Sequence, residues 1–296
     1  MQNVSWKLIG VLVILVIATY FVLRQPGEVS ISGSTGKFLV EYDSASIDKM
    51  EVNAQGKHAT LAKEAGVWMI VSPISSKADQ NAIGSAVGKG RSLEVSKPIS
   101  SNPEKQHLFQ VDSSGTLVKF FEKGNERAAI RIGKAGSSYT DTYVRLEGSP
   151  DVYLTEGILS SIFARELRDW RDKTIFRMGK EFIKTVQFQY GDTTFALTLQ
   201  DSVWRIDGAS ALESMVSSLV NSISDFQADE FVDTAIAAPP RLTGAITVEG
   251  TQIKFYAQKD GTKYYVQTSA SPQWFEVYSW KANQLLKRMK DLVVKA

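Results

Sequence analysis

Much of the chain consists of an internal sequence repeat, and this repeat limits the folds that the chain can adopt. Residues 67–70 (Val-Trp-Met-Ile) recur as residues 203–206 (Val-Trp-Arg-Ile), 136 positions later. The same spacing aligns further apolar positions without a gap: Ile47 with Ile183, Met50 with Val186, Val52 with Phe188 and Leu61 with Leu197. Downstream, residues 118–121 align with 253–256, 143–144 with 265–266, and 149–150 with 271–272. Because repeated order indicates a repeated structural unit, the sequence predicts two related units in tandem.

Each copy has the apolar alternation of a mainly antiparallel sheet. Val186, Phe188 and Tyr190 alternate with polar residues up to a Gly-Asp turn, and the alternation then resumes, which predicts a β-hairpin. The Val-Trp strand follows, then a helix with one apolar face, over residues 78–87 in one copy and 212–223 in the other. Further strands and a second helix, over 158–167 or 281–294, complete each copy. This order favours an α+β fold, in which helices cover each sheet and Trp68 and Trp204 lie in the cores.

An uninterrupted apolar stretch over residues 8–23 lies near the N-terminus, between Lys7 and Arg24. A helix of this length spans about 24 Å, and its flanking Trp6, Lys7 and Arg24 can extend it across a bilayer core of about 30 Å. The alternative is a cleaved signal peptide, with residues 16–18 as a weak cleavage site. Because the apolar run continues to residue 23, the sequence predicts an uncleaved transmembrane helix.

This anchor divides the chain into three predicted regions. Residues 1–29 form a cytoplasmic tip and transmembrane anchor, residues 30–175 the first α+β repeat, and residues 176–296 the second. No second hydrophobic span follows, so everything after the anchor is expected on one side of the membrane. We therefore expect a single-pass protein of the inner (cytoplasmic) membrane, with residues 30–296 on the extracytoplasmic side.

The composition argues against several classes of site. The 296 residues include two His and no Cys, and the formal net charge is +2. The absence of Cys excludes disulfides, thiolate metal sites and cysteine nucleophiles, and two His disfavour a histidine-built metal centre. A net charge this small argues against electrostatic capture of nucleic acid and selects no charged partner. We therefore expect no metal ion, no cofactor and no nucleic-acid partner.

The glycine-rich and serine-lysine segments lack the spacing of known catalytic motifs. Residues 84–90 do not match a phosphate-binding loop and are interpreted as a helix end, and residues 133–138 as a turn between strands. The Ser-x-x-Lys pairs at 34–37 and 46–49 occur without the companion motifs of penicillin-recognising enzymes.

The titratable residues predict no catalytic site either. His58 lies in a hairpin, at the position of Thr194 in the other copy, and His107 lies in a polar loop, so both are expected to be exposed. An acidic cluster is predicted in a solvated helix end and loop: Asp225, Asp229, Glu230 and Asp233. A carboxylate-based envelope hydrolase is thus the minor alternative, and we assign no catalytic, cofactor-binding or metal-ligating residue.

The connector between the copies, residues 164–173, carries mostly charged side chains of both signs together with Leu167 and Trp170. We interpret it as a solvated helix end with ion pairs three or four residues apart. The alternative is a polar contact surface for a partner.

The order of several short segments resembles the domain of unknown function 4340 family. The segments are residues 47–50, 67–70, 72–73, 78–79, 101–104, 132–134, 143–145, 152–154 and 167–173. The resemblance covers residues 45–180 well and the second copy more loosely. It implies a single-pass bacterial envelope protein that accompanies ABC-type exporter or gliding-motility transporter components, and it supplies no catalytic residues.

Together these observations predict a non-catalytic, membrane-anchored extracytoplasmic protein. We expect it to act as an accessory or interaction subunit of an ABC-type export or cell-envelope system, in contact with other membrane proteins. The alternative is a ligand-binding module that holds a lipid or glycan between the two repeats, because domain junctions favour pockets.

Overall fold

A computed structural model describes residues 37–191, 193–234, 236, 238 and 240–293. The predicted anchor over residues 8–23 lies outside this range. Within it, no helix is both long enough and apolar enough to cross a membrane.

The first unit, residues 37–172, is built on an eight-stranded antiparallel sheet. Its strands are β1 (Lys37–Phe38), β2 (Lys49–Ala54), β3 (Lys57–Glu64), β4 (Val67–Ser72), β5 (Ser76–Lys77), β6 (Glu94–Val95), β7 (Thr116–Glu122), β8 (Asn125–Ala135), β9 (Asp141–Leu146) and β10 (Val152–Glu156). Its helices are α1 (Gln80–Arg91), a 3-10 helix (Pro103–Phe109), α2 (Ser160–Phe163) and α3 (Leu167–Trp170). The order in the sheet is β10-β9-β8-β7-β2-β3-β4-β5, and β1 pairs separately with β6.

The second unit, residues 173–293, is built on a nine-stranded antiparallel sheet. Its strands are β11 (Thr174–Arg177), β12 (Thr185–Tyr190), β13 (Thr193–Gln200), β14 (Val203–Ile206), β15 (Ala209–Ser210), β16 (Asp225–Gln227), β17 (Glu230–Val232), β18 (Gly244–Val248), β19 (Thr251–Ala257), β20 (Lys263–Thr268) and β21 (Ser271–Tyr278). Its helices are a 3-10 helix (Lys180–Phe182), α4 (Glu213–Ser224), α5 (Ser279–Leu285) and α6 (Met289–Leu292). The order is β15-β14-β13-β12-β18-β19-β20-β21-β17, and β11 pairs with β16. Strand β11 spans the predicted boundary between residues 175 and 176.

The fold is therefore mainly antiparallel sheet with a few helices, which confirms the predicted α+β class. The two sheets also share their order of strands and much of their register. Leu61 pairs with Ile70 as Leu197 pairs with Ile206, at the predicted spacing. Each unit has its own cluster of buried apolar residues, and no buried side-chain nitrogen or oxygen of the described residues is left without a hydrogen-bond partner.

One predicted alignment is wrong by a strand. Residues 118–121 lie in β7, which pairs with β2, whereas residues 253–256 lie in β19, one strand further from the hairpin. The equivalent of β7 is β18, which pairs with β12. Both β18 and β19 carry alternating apolar residues on the core side, so the pattern alone did not distinguish them.

The first long helix runs further than its glycines suggest. Asp79 caps α1 by accepting hydrogen bonds from the backbone N–H groups of Asn81 and Ala82. The helix continues through Gly88 and Gly90, so these residues do not end it as predicted. A Cβ at Gly90 would lie 2.5 Å from the Tyr42 hydroxyl and 2.6 Å from the Phe120 ring, which explains the glycine there by packing.

The second helix of each unit is shorter than predicted and is interrupted. Residues 158–167 form only α2 and the start of α3, and residues 281–294 contain the end of α5 and the separate α6. Glu166 and Arg288 have extended backbones, with ψ of 153° and 156°, and each one separates two helices. After the break, the unit ends beside its own long helix: Asp79 N donates to Trp170 O at 2.8 Å, and Leu212 N donates to Leu292 O at 2.7 Å.

Candidate functional site

The connector between the units is a packed element, not the solvated helix end that its charges predict. Trp170 has 1% of its surface exposed and is among the largest fully buried side chains. The next residue, Arg171, is 4% exposed. The pairing of Lys173 with Asp169, at 3.1 Å and four residues apart, is the part of the predicted pattern that is confirmed.

Arg171 joins the two units through its whole guanidinium group. Nε donates to Ser76 Oγ in the first unit at 3.3 Å. Nη1 donates to Asp233 Oδ2 at 2.9 Å and Nη2 to Gln273 Oε1 at 3.1 Å, both in the second unit. The guanidinium also lies over the Phe231 ring, 3.7 Å from its centroid. A buried arginine that fills these contacts fixes the relation of the two sheets at this point.

A second ion pair crosses the same junction nearer to solvent. Arg168 Nη1 donates to Glu230 Oε1 at 2.7 Å, and both side chains are more than one-third exposed. An exposed pair of this kind adds little stability, typically below about 1 kcal/mol. Arg171 is therefore the main polar contact between the units.

An open groove of about 770 Å³ lies beside Arg171 and is lined by both units. The first unit supplies Met69, Ser75, Ser76 and Lys77, while Phe176, Met178, Pro272 and Gln273 are among the lining residues of the second. Methionine, phenylalanine and proline give the groove apolar walls. Its size falls within the usual range of small-molecule pockets, roughly 300–1,000 Å³.

Asp172 is the one carboxylate among the described residues that line the groove. Burial raises the pKa of Asp172, but hydrogen bonds from Lys77 and Thr174 lower it by more than burial raises it. The pKa of Asp172 therefore lies below its ordinary value. Lys77 Nζ is 2.8 Å from Oδ2, and Thr174 N donates to Oδ1 at 3.0 Å. An ionised, fully engaged carboxylate is not suited to act as a general acid, and a glycosidase would need a second acid across the groove.

The acidic cluster lies partly where it was predicted, because Asp225 caps the end of α4 and Asp229 and Asp233 lie in loops, but Asp225 and Glu230 also belong to short strands. Asp225 begins β16 and Glu230 begins β17, because this stretch pairs with β11 and with the sheet edge. Each carboxylate has a different cationic partner: Asp225 pairs with Arg177 at 3.0 Å, Asp229 with Lys281 at 2.6 Å, Glu230 with Arg168 at 2.7 Å and Asp233 with Arg171 at 2.9 Å. The four acids therefore form four separate structural ion pairs, and their carboxylates do not face a common site.

The remaining sequence candidates are dispersed over the fold. His58 and His107 are exposed, as predicted. Residues 84–90 are helical, and Gly133 belongs to β8, so the predicted turn over 133–138 begins later, after Ala135. Among the described residues, no three His, Asp or Glu side chains are grouped so as to hold a metal ion.

Sequence reasoning missed Arg171 because its hydrogen-bond partners in the second unit, Asp233 just after β17 and Gln273 on β21, lie more than 60 positions away. The one available signal was its neighbour Trp170, a large aromatic within a charged segment.

A family model supports the resemblance noted in the sequence. The model of the domain of unknown function family DUF4340 matches residues 68–244, from β4 in the first sheet to β18 in the second. The chain belongs to this family. The DUF4340 match runs across the junction and includes Arg171, Asp172, Phe231 and Asp233. No curated protein and no solved structure matches the chain.

Proposed function

We propose that this DUF4340 protein is a non-catalytic, single-pass envelope protein that acts by protein–protein contact. In this proposal residues 1–29 anchor it in the cytoplasmic membrane, and residues 30–296 form its extracytoplasmic part. Its partner is a membrane protein of an ABC-type exporter or a related envelope system. The family resemblance supports this partner class, and the apolar stretch over residues 8–23 supports the anchor.

The observation that carries the proposal is the junction formed by Arg171. Each nitrogen of its buried guanidinium donates a hydrogen bond to a described residue of one unit or the other. Removing a partner from such a group is costly, so the contact favours one arrangement of the two sheets. Two sheets held in one arrangement present a single preorganised surface, which is what a binding partner needs.

We also propose that the two units are copies of one ancestral unit. The shared strand order and the equivalent pairs Leu61–Ile70 and Leu197–Ile206 support a duplication. The different side chains at equivalent positions support a division of roles between the two copies.

The test is co-purification of the full chain in mild detergent, with transporter subunits identified by mass spectrometry. We expect an exporter subunit to be retained by the natural chain and by Lys173→Ala, and to be lost or reduced with Arg171→Ala. Lys173 is the matched control because it is a neighbouring cation whose ion pair, with Asp169, stays within the connector. Repeated recovery of the natural protein without any transporter subunit would contradict the proposal.

The anchor has its own test. Removal of residues 1–25 should yield a folded product that needs no detergent, because the described part of the chain has closed apolar cores. Aggregation of that product, or membrane retention without the segment, would contradict a single anchor.

The groove at the junction favours a second candidate, a module that binds a lipid between the units. Its apolar walls, with Met69, Met178 and Pro272, suit an acyl chain better than a glycan. Lipid extracted from the purified protein and lost in Met178→Asp would support this candidate, whereas an empty groove in native-lipid extracts would favour the first.

A further inference from the structure

A second, smaller pocket in the second unit is lined by two arginines. It has a volume of about 390 Å³, and Arg241 and Arg288 share it with Tyr190, Leu242 and Thr243. No carboxylate occurs among its described lining residues. The pocket lies where β12 and the link into β18 meet the break before α6, on residues separate from those of the Arg171 junction.

The Arg288 guanidinium is positioned before any ligand binds. It lies over the Tyr190 ring, 3.7 Å from the centroid. Tyr190 is itself fixed, because its hydroxyl donates to Lys287 O at 2.7 Å. Stacking uses the face of the guanidinium and leaves its N–H edges available, and such an edge can form two parallel hydrogen bonds to a phosphate.

The equivalent place in the first unit carries its own counter-ion. The bridges Ala78–Arg171 and Ala211–Val293 set the register of the two unit ends, and this register places Glu166 where the second unit has Arg288. The Glu166 carboxylate is 2.6 Å from Lys57 Nζ. The pocket at this place in the first unit is lined by Lys57, Arg165 and Glu166, so it holds an acid beside its cations, whereas the described lining of the second unit's pocket holds two arginines and no acid.

Further positive charge lies close to Arg288 in the sequence. Lys287 and Lys290 flank Arg288 in the sequence, and Asp291 is the nearby acid, whose carboxylate accepts a hydrogen bond from Arg288 N at 3.0 Å. Asp192 follows the pocket residue Gly191 in the sequence, and the cations still outnumber these two acids. In a chain with a net charge of only +2, the described lining of this pocket therefore holds two arginines and no acid.

Apolar side chains lie next to this charge. Leu242 is 37% exposed and Met289 is 36% exposed, one in the pocket lining and the other adjacent to Arg288. Cations beside exposed aliphatic groups are typical of surfaces that meet anionic lipid headgroups, where the charges bind phosphate and the aliphatic groups enter the interface.

We propose that this pocket binds the phosphate group of an anionic phospholipid, with Arg241 and Arg288 as its ligands. Arg288 supplies the preoriented pair of donors, Arg241 supplies the second charge, and Leu242 and Met289 contact the glycerol and acyl region. The proposal does not depend on the exporter partner or on the groove at the junction.

The experiment uses the full chain in a neutral detergent, titrated with short-chain phosphatidylglycerol, short-chain phosphatidylcholine or inorganic phosphate, with binding followed by calorimetry. We expect saturable binding of phosphatidylglycerol. The affinity should fall about tenfold or more in Arg241→Ala and in Arg288→Ala, since each loses a charged hydrogen-bonding partner. Arg241→Lys should recover part of the affinity, and Lys57→Ala, at the corresponding pocket of the first unit, should retain it in full.

Each alternative outcome is decisive. Equal binding of the two lipids would reflect partition into the detergent and would overturn the proposal. Inorganic phosphate binding as tightly as phosphatidylglycerol would overturn the lipid assignment in favour of a free phosphate site. Affinity unchanged in both arginine variants would overturn the assignment of these residues. Because Arg241 is an exposed side chain, Arg241→Ala should remain folded, and a circular dichroism melt checks this.

Discussion

The two units end in the same backbone arrangement but with different side chains. Each closing segment forms a bridge to the residue two positions before the long helix, Ala78 with Arg171 and Ala211 with Val293. The preceding residue is buried in both, Trp170 at 1% exposure and Leu292 at 0%. Both units thus bury a large apolar residue just before the bridge, Trp170 or Leu292. The bridge residue itself differs: Arg171 joins the two units, whereas Val293 is aliphatic.

The largest expected loss of stability comes from truncating the buried apolar residue before each bridge. Trp170→Ala should lower the free energy of unfolding by about 3–5 kcal/mol and Leu292→Ala by about 2–5 kcal/mol, because each leaves a cavity in a closed core. Urea unfolding of the full chain in neutral detergent, followed by circular dichroism, measures both. A loss below about 1 kcal/mol in either variant would show that the two ends are not equivalent.

The repeated tryptophans should differ, although their sequence context is nearly identical. Trp68 is 7% exposed within its core, whereas Trp204 packs against its core only in part. Trp68→Ala should therefore cost about 3–5 kcal/mol and Trp204→Ala about half as much. The same urea measurement applies, and equal losses would contradict the difference in burial.

These pairs show how far the sequence could predict the fold. The hairpins and the Val-Trp strands were predictable because their alternation is local. The strand equivalent to β7 was not, because β18 and β19 have the same alternation and only the pairing of β18 with β12 separates them. Trp204 was predicted to lie in the core and is only partly buried, and Arg171 is buried against expectation; neither was predictable, because both depend on residues distant in sequence.

The next largest loss of stability is expected at Arg171, the residue that joins the two units. Arg171→Ala should cost about 2–3 kcal/mol, since it removes charged hydrogen bonds to Asp233 and Gln273 from a buried site. Val293→Ala, at the equivalent position, should cost only about 1 kcal/mol. Proteolysis near the connector should also be faster in Arg171→Ala if this contact holds the units together. Equal losses and unchanged proteolysis would remove the special role of Arg171.

The two units differ in how the long helix, α1 or α4, packs against its sheet: a small helix residue faces a large strand residue in the first unit, and the sizes are reversed in the second. Counted from the residues before the helices, Ala78 and Ala211, Gly90 corresponds to Ile223, and the sheet registers match Phe120 with Val248. Gly90→Ala should cost about 1–3 kcal/mol, because its Cβ would meet Phe120 and Tyr42. Gly88→Ala, with nothing within 4 Å, should instead stabilise by up to about 1 kcal/mol.

A double variant sharpens the exchange. Phe120→Val combined with Gly90→Ile copies the pair of the second unit into the first, and it should be more stable than Gly90→Ile alone. Additive losses in the two single variants would show that the positions do not compensate each other.

The smallest expected effect concerns acid stability at the junction. The folded pKa of Asp172 lies below its ordinary value, so this group binds a proton more readily in the unfolded chain. Its stabilisation is present above the unfolded pKa of about 3.9 and is lost as the pH falls through the folded pKa. Asp172→Asn should therefore make unfolding less dependent on pH below about pH 4, and Lys77→Met should do the same in part by removing the cation that lowers the pKa. Acid titration followed by circular dichroism measures this dependence. A dependence unchanged in both variants would mean that Asp172 does not link the stability of the junction to pH.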